Sequence, residues 1–238
     1  MDNGLEKRYG LLTAIAMVVG IVIGSGVFFK AEKVLTATGG NLSLGILAWL
    51  LGGLVMILCA YNFALMATKH EKVSGVVDYA EVLVGGRYAY FFAWFAAVIY
   101  FPAMTSVVAW VAARYFGVLM GSYVINALAP KLAGRLQVTT TAAKLIPLFL
   151  MAIFGTIFGL KNGILVENFT TTAVHTFTSK NPLFTAVVGT CFAYVGWICA
   201  TSINAELKDA KKNLPLALIF GSAFVVLVYI LYYIGLAG

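Results

Sequence analysis

The feature that most limits how this chain can fold is a succession of apolar stretches, each long enough to cross a membrane. Short polar segments separate them and carry most of the lysines and arginines. A hydrocarbon core ~30 Å thick takes about 20 helical residues to cross, and each peptide group inside it must find its partner within the protein. By that ruler, spans are expected near 9–29, 42–67, 136–160, 182–205 and 214–238, with a longer apolar region at 88–130. A chain that is 62% hydrophobic and 11% charged is too apolar for a soluble domain. It reads as an all-α polytopic membrane protein, with residues 1–238 forming a single transmembrane domain.

The basic residues set the topology. Lys72 and Arg87 precede the 88–130 region and Lys131 and Arg135 follow it. Lys and Arg concentrate in cytoplasmic loops, so both flanks belong on one side and the region crosses an even number of times. Two crossings fit, near 88–108 and 112–130, with a turn near Arg114. The segments Lys69–Arg87, Lys131–Arg135 and Lys208–Lys212 then fall inside and the loop around 161–181 outside. The expectation is about seven spans in a multi-pass cell-membrane protein with a cytoplasmic N-terminus.

The net charge of +7 is spread over these loop clusters rather than along one face, so it marks the lipid bilayer as partner and argues against nucleic acid. Cys59, Cys191 and Cys199 have neither CxxC spacing nor a nearby histidine, which supports neither a zinc site nor a disulfide framework. HExxH, GxSxG and a carboxylate pair within a span are all lacking, so no catalytic residue, metal or cofactor is expected and the chain is not read as an enzyme.

Two stretches weaken their own helices. "GIVIGSGVFF", Gly20 to Phe29, places Gly20, Gly24, Ser25 and Gly26 in the middle of the first span. One reading is a small-xxx-small pair that lets a neighbouring helix come close. The other is an interrupted span, in which the amides of Ser25, Gly26 and Val27 open a half-helix whose positive end attracts a carboxylate. "GTCFAYVGWICAT", Gly189 to Thr201, is a second candidate break, in the sixth span. Spans one and six correspond when two five-helix repeats of opposite orientation build the fold, and paired interruptions then form the site at the midplane.

Lys144, in "TTTAAKLIPLFLMAIFG", sits roughly 13 Å beyond Arg135 at about 1.5 Å per helical residue. It either snorkels to the cytoplasmic surface or lies within the membrane, where an ionisable residue is a functional candidate. In the second case its ammonium replaces a bound cation and holds the broken first helix without sodium.

Taken together, "GIVIGSGVF", "KLAGRLQVTTTAAKLIPL", "FAYVGW" and "NAELKDAKKNLPLAL" resemble the amino acid–polyamine–organocation superfamily. The resemblance is to its L-type amino-acid transporter branch and to the bacterial alanine–serine–cysteine exchangers, and it covers nearly the whole chain. It implies a LeuT-like inverted-repeat fold, an amino-acid substrate and obligatory exchange by alternating access. By the same resemblance, the amides of Ser25 and Gly26 receive the substrate carboxylate, while carbonyls near Val22, Phe192 and Val195 meet its amino group. Phe192 and Tyr194 are candidates for the aromatic gate, and Lys144 matches the lysine that replaces the second sodium ion of related carriers.

The family pattern assigns 9–160 to the first five-helix repeat, with a fourth span shortened around "YFGVLMGSYVINALAP", and 182–238 to the start of the second. The fold is thus expected to be truncated to about seven spans. Val195 is apolar where relatives often carry a small or acidic residue, and "CAYNFALMA" departs from the acidic pattern common at the end of the second span. The leading expectation is sodium-independent exchange of small neutral amino acids such as alanine, serine and cysteine. The alternatives are a fragment that does not transport, a subunit completed by a second polypeptide that supplies further helices, or a sodium- or proton-coupled symporter.

Overall fold

The computed structural model describes residues 7–70, 75–113, 130–170 and 181–238, all of it helix, turn and short connection. Five helices there are long and apolar enough to cross a membrane: Leu42–Lys69, Gly86–Ser106, Val138–Lys161, Pro182–Asn204 and Ala210–Leu236. Taken together, α1 (Leu11–Val22) and α2 (Ser25–Ala37) are also long and apolar enough to cross, and they are bent by 41° at a short break. The turn expected near Arg114 and the crossing expected near 112–130 lie outside the described residues.

The first crossing therefore runs to Ala37 rather than to residue 29. A straight-helix ruler stops at the first charges, but the chain restarts as a second half-helix that carries Lys30, Glu32 and Lys33 itself. Gly39 and Gly40 then turn the chain at positive φ into α3 (Leu42–Lys69), where the Asn41 side chain accepts a hydrogen bond from the Leu44 amide at 2.9 Å. That cap satisfies one of the four amides a helix start leaves without a partner.

α4 (Val76–Val84) is short and leads into α5 (Gly86–Phe95). α5 passes through one π-helical turn, Ala96–Tyr100, into α6 (Phe101–Ala113). Pro102 explains the wide turn: it has no N–H to give, and the Phe101 amide bonds Ala96, five residues back. α7 (Pro130–Lys161) and α8 (Ile164–Thr170) follow, then α9 (Pro182–Cys191). Past α9 the chain tightens into 3₁₀ turns over Phe192–Tyr194 and Trp197–Glu206 before α10 (Ala210–Leu236).

α10 is the central post, packed against α3, α1 and α7. Leu214, Leu218, Gly221, Val225, Tyr229 and Tyr232 recur every three or four residues and are buried, whereas Phe220 and Leu227 face outward. Trp49 of α3 anchors the core from the other side. Its ring meets those of Tyr194 and Tyr229 edge-on at 5.7 and 5.4 Å, and its carbonyl accepts the Tyr194 hydroxyl at 2.9 Å. At the other end of α1, the backbone just before it is tied to the segment just after the second 3₁₀ turn. Arg8 and Tyr9 amides donate to the Glu206 carbonyl at 2.8 and 3.1 Å, and the Lys208 amide donates to the Tyr9 carbonyl at 2.8 Å.

Lipid is as apolar as a leucine side chain, so packing rather than burial from water distinguishes these positions. Replacing the fully buried Trp49 by alanine leaves a large void and is expected to cost about 3–5 kcal/mol. Leu58→Ala, at a position 61% exposed on the same helix, is expected to stay within about 0.5 kcal/mol. Thermal unfolding of both variants in one detergent checks the contrast.

Candidate functional site

Both suspected interruptions exist, and they touch. α1 ends at Val22; Ile23 (ψ 91°) and Gly24 (φ −126°, ψ −156°) are extended, and α2 starts at Ser25. In the sixth span α9 ends at Cys191. Val195 is extended (ψ 152°) and Gly196 is left-handed (φ 118°) between the two 3₁₀ turns. A β-carbon on Gly26 would sit 3.1 Å from the Ala193 Cα, and one on Gly196 would sit 2.8 Å from Ile21 Cγ2 and 3.2 Å from the Ile21 carbonyl oxygen. Each break thus presents a glycine to the backbone of the other. Gly24, by contrast, has no neighbouring helix pressed against it, so close packing does not account for its place in the motif.

A helix that stops inside a membrane exposes four carbonyls at its end. At the end of α1 three of the four meet a hydrogen-bond donor. Val19 O accepts the Ile23 amide at 2.8 Å. Gly20 O accepts the Lys144 ammonium at 3.2 Å. Ile21 O lies against Gly196. Val22 O accepts the Tyr229 hydroxyl at 2.9 Å.

Lys144 therefore reaches sideways to the break and not back along α7 toward the start of that helix. One turn earlier on α7, the Thr141 hydroxyl donates to Ala16 O at 3.2 Å, so the two side chains fix α7 along one edge of α1. The cation stands where the negative end of the α1 dipole is least screened.

Tyr229 joins the two breaks. Its hydroxyl lies 2.9 Å from Val22 O and 3.1 Å from Ala193 O. One O–H carries one proton and a carbonyl has two lone pairs, so the hydroxyl cannot saturate both oxygens. The remaining lone pairs suit a further donor, and an ammonium brings three N–H groups. Opposite, the first turn of α2 directs the amides of Ser25, Gly26 and Val27 toward the break, because helix N–H groups point at the N-terminus. Val22 O and Ala193 O, each with a spare lone pair, thus lie in the same region as the amide-bearing start of α2.

The two aromatic candidates of the second break part company. Tyr194 is buried among Trp49, Tyr229 and the rest of the core, with its hydroxyl on the Trp49 carbonyl. Phe192 is 42% exposed and Val195 36% exposed, both beside the break. Tyr229 and Gly196 were not singled out from the sequence. A tyrosine hydroxyl in a membrane span needs an acceptor, which marks Tyr229, Tyr232 and Tyr233 alike; only their helical phase separates them.

Removing the Tyr229 hydroxyl strips a donor from two buried carbonyls at once. Tyr229→Phe is expected to lower stability by about 1–3 kcal/mol, read as a fall in the detergent melting temperature. Gly26→Val should be at least as harmful, because the Ala193 backbone cannot yield as a flexible side chain can.

A model of the amino acid permease family matches residues 9–238. The serine/threonine exchanger SteT of Bacillus subtilis is 33% identical over 96% of this chain and 54% of its own length. The mouse b(0,+)-type amino acid transporter 1 is 29% identical over 96% of the chain and 50% of its own length, and the mouse Asc-type amino acid transporter 1 is 28% identical over 94% and 46%. These relatives are transporters and not enzymes, and the chain spans about half the length of each. With paired helix breaks at the motifs that carry the resemblance and a family match over nearly its whole length, the chain belongs to the amino acid permease family.

Proposed function

We propose that this chain forms the substrate-binding part of a sodium-independent exchanger of small neutral amino acids such as alanine, serine and cysteine. In this reading the substrate carboxylate lies on the amides of Ser25 and Gly26 at the start of α2. Its amino group lies among the carbonyls of Val22 and of the Phe192–Val195 turn, with Phe192 as the ring that closes over it. Tyr194 serves as a strut behind the second break. The observation that carries the proposal is the convergence of both broken spans on the Tyr229 hydroxyl, because it brings the carbonyl ends of two interrupted helices into one donor's reach. The cell membrane is the proposed location, with the N-terminus in the cytoplasm. A LeuT-like arrangement follows, with the first repeat over 9–160 and the second beginning at 182.

Sodium independence rests on Lys144. A sodium ion at the break would neutralise the carbonyls that end α1; the ammonium on Gly20 O does so permanently. Transport should accordingly ignore the sodium gradient.

One observation favours a second reading: the chain spans about half of each relative's length. A site completed by further helices would be only half built by this chain, and a half-pocket holds a small ligand poorly. In that reading the chain needs another polypeptide to supply those helices.

Proteoliposome uptake of labelled alanine separates the readings. Exchange predicts uptake that needs internal alanine and is indifferent to sodium, whereas uptake that requires sodium and ignores internal alanine overturns it. Lys144→Ala should reduce uptake roughly tenfold or more, the scale of one charge-assisted hydrogen bond, with the amount of inserted protein unchanged. Monodisperse chain that binds alanine alone would rule out the need for a second polypeptide.

A further inference from the structure

Gly26 and Lys30 are four residues apart and share one face of α2. Gly26 places that face against the second break, since a β-carbon there would lie 3.1 Å from Ala193 Cα and 3.6 Å from Phe192 Cδ1. One turn further on, the Lys30 ammonium stands 5.0 Å from the centroid of the Phe192 ring. That is within reach of the electron-rich ring face, an attraction that strengthens where water is scarce. Phe192 has little else to hold it: it is 42% exposed, and the backbone around it is a 3₁₀ turn followed by extended residues. Its neighbour Tyr194 shows what packing does for a ring in this segment, being buried, hydrogen-bonded and flanked by two aromatic rings. Phe192 has the ammonium in place of those supports.

We propose that Lys30 is the positioning residue of Phe192, a cation–π clamp across the gap that fixes the ring beside the substrate site. The proposal rests on the exchanger reading for its consequence, though not for its geometry. α2 and α9 pack against each other, so the clamp joins the inner ends of two half-helices that already form one body. The ring then travels with that body instead of swinging independently. Lys30, in the second turn of α2, also adds positive potential near the α2 amides, which favours the carboxylate end of a zwitterion over a second cation.

Two measurements on the whole chain in lipid nanodiscs or proteoliposomes test the clamp. In the first, a fluorinated phenylalanine at position 192 reports the ring by fluorine NMR. Lys30→Met should move its resonance toward that of a freely averaging ring, and Lys30→Arg should keep it in place, because guanidinium also binds ring faces. A resonance unchanged by Lys30→Met overturns the proposal. Should that variant fold poorly, Lys30→Gln serves in its place, with the same outcomes.

The second measurement uses a trifluorinated phenylalanine at 192, which preserves ring size and drains charge from its face. It should raise the KM of alanine exchange about two- to five-fold, the scale of a single cation–π contact, and leave the maximal rate unchanged. In Lys30→Met it should have no further effect. An unaltered KM in an exchanging protein refutes the clamp. Absence of alanine exchange altogether refutes the exchanger reading, while the resonance still decides the clamp.

Discussion

A helix cut in mid-membrane cannot leave its ends to water, and the rest of this structure is arranged around that debt. α1 stops with four carbonyls facing a region where each unsatisfied one costs several kcal/mol. The chain answers three of them with donors: an amide of its own last turn, an ammonium from α7 and a phenol from α10, while Gly196 of the sixth span comes close to the fourth. Three different helical segments thus owe their position to one interruption. This explains why α10, which takes part in neither break, has the largest buried share of the five long apolar spans and packs on so many of the other helices. It carries the hydroxyl that both breaks need.

The same arrangement gives the site its character. Supports that satisfy a break completely would leave nothing for a ligand, and supports that fail would let the span collapse or unwind further. Here the carbonyl side is served by one shared proton and one glycine contact, while the amide side of α2 begins without a side-chain cap. The structure brings the broken ends together and still leaves lone pairs and amides there without a side-chain partner.

Much of this was legible in the residues. Glycines clustered in mid-span announce a break, because their cost to a helix must be balanced by something local. A lysine deep in an apolar run announces a partner. The bounds of α3, the start of α9 and the far ends of α7 and α10 followed from span length and charge, whereas α7 and α10 begin earlier and α9 ends at Cys191.

What the sequence hid has a physical reason in each case. The length of the first span depended on a bend that no hydropathy ruler registers. The different fates of Phe192 and Tyr194 were hidden because the segment is a 3₁₀ turn, three residues per turn rather than 3.6, so helical phase misplaces its side chains. Tyr229 was hidden among Tyr232 and Tyr233, and its role depends on the exact rotation of α10 about its axis.

The backbone tie between Tyr9 and the Glu206–Lys208 segment has a consequence for how such a molecule can move. It couples the half-helix below the first break to the one below the second. Above the breaks, α2 and α9 lie against one another. The two interrupted spans are therefore cross-linked, lower half to lower half and upper half to upper half. Any bend at the short extended linkers, Ile23–Gly24 and Val195–Gly196, would then carry each joined pair of halves as one piece.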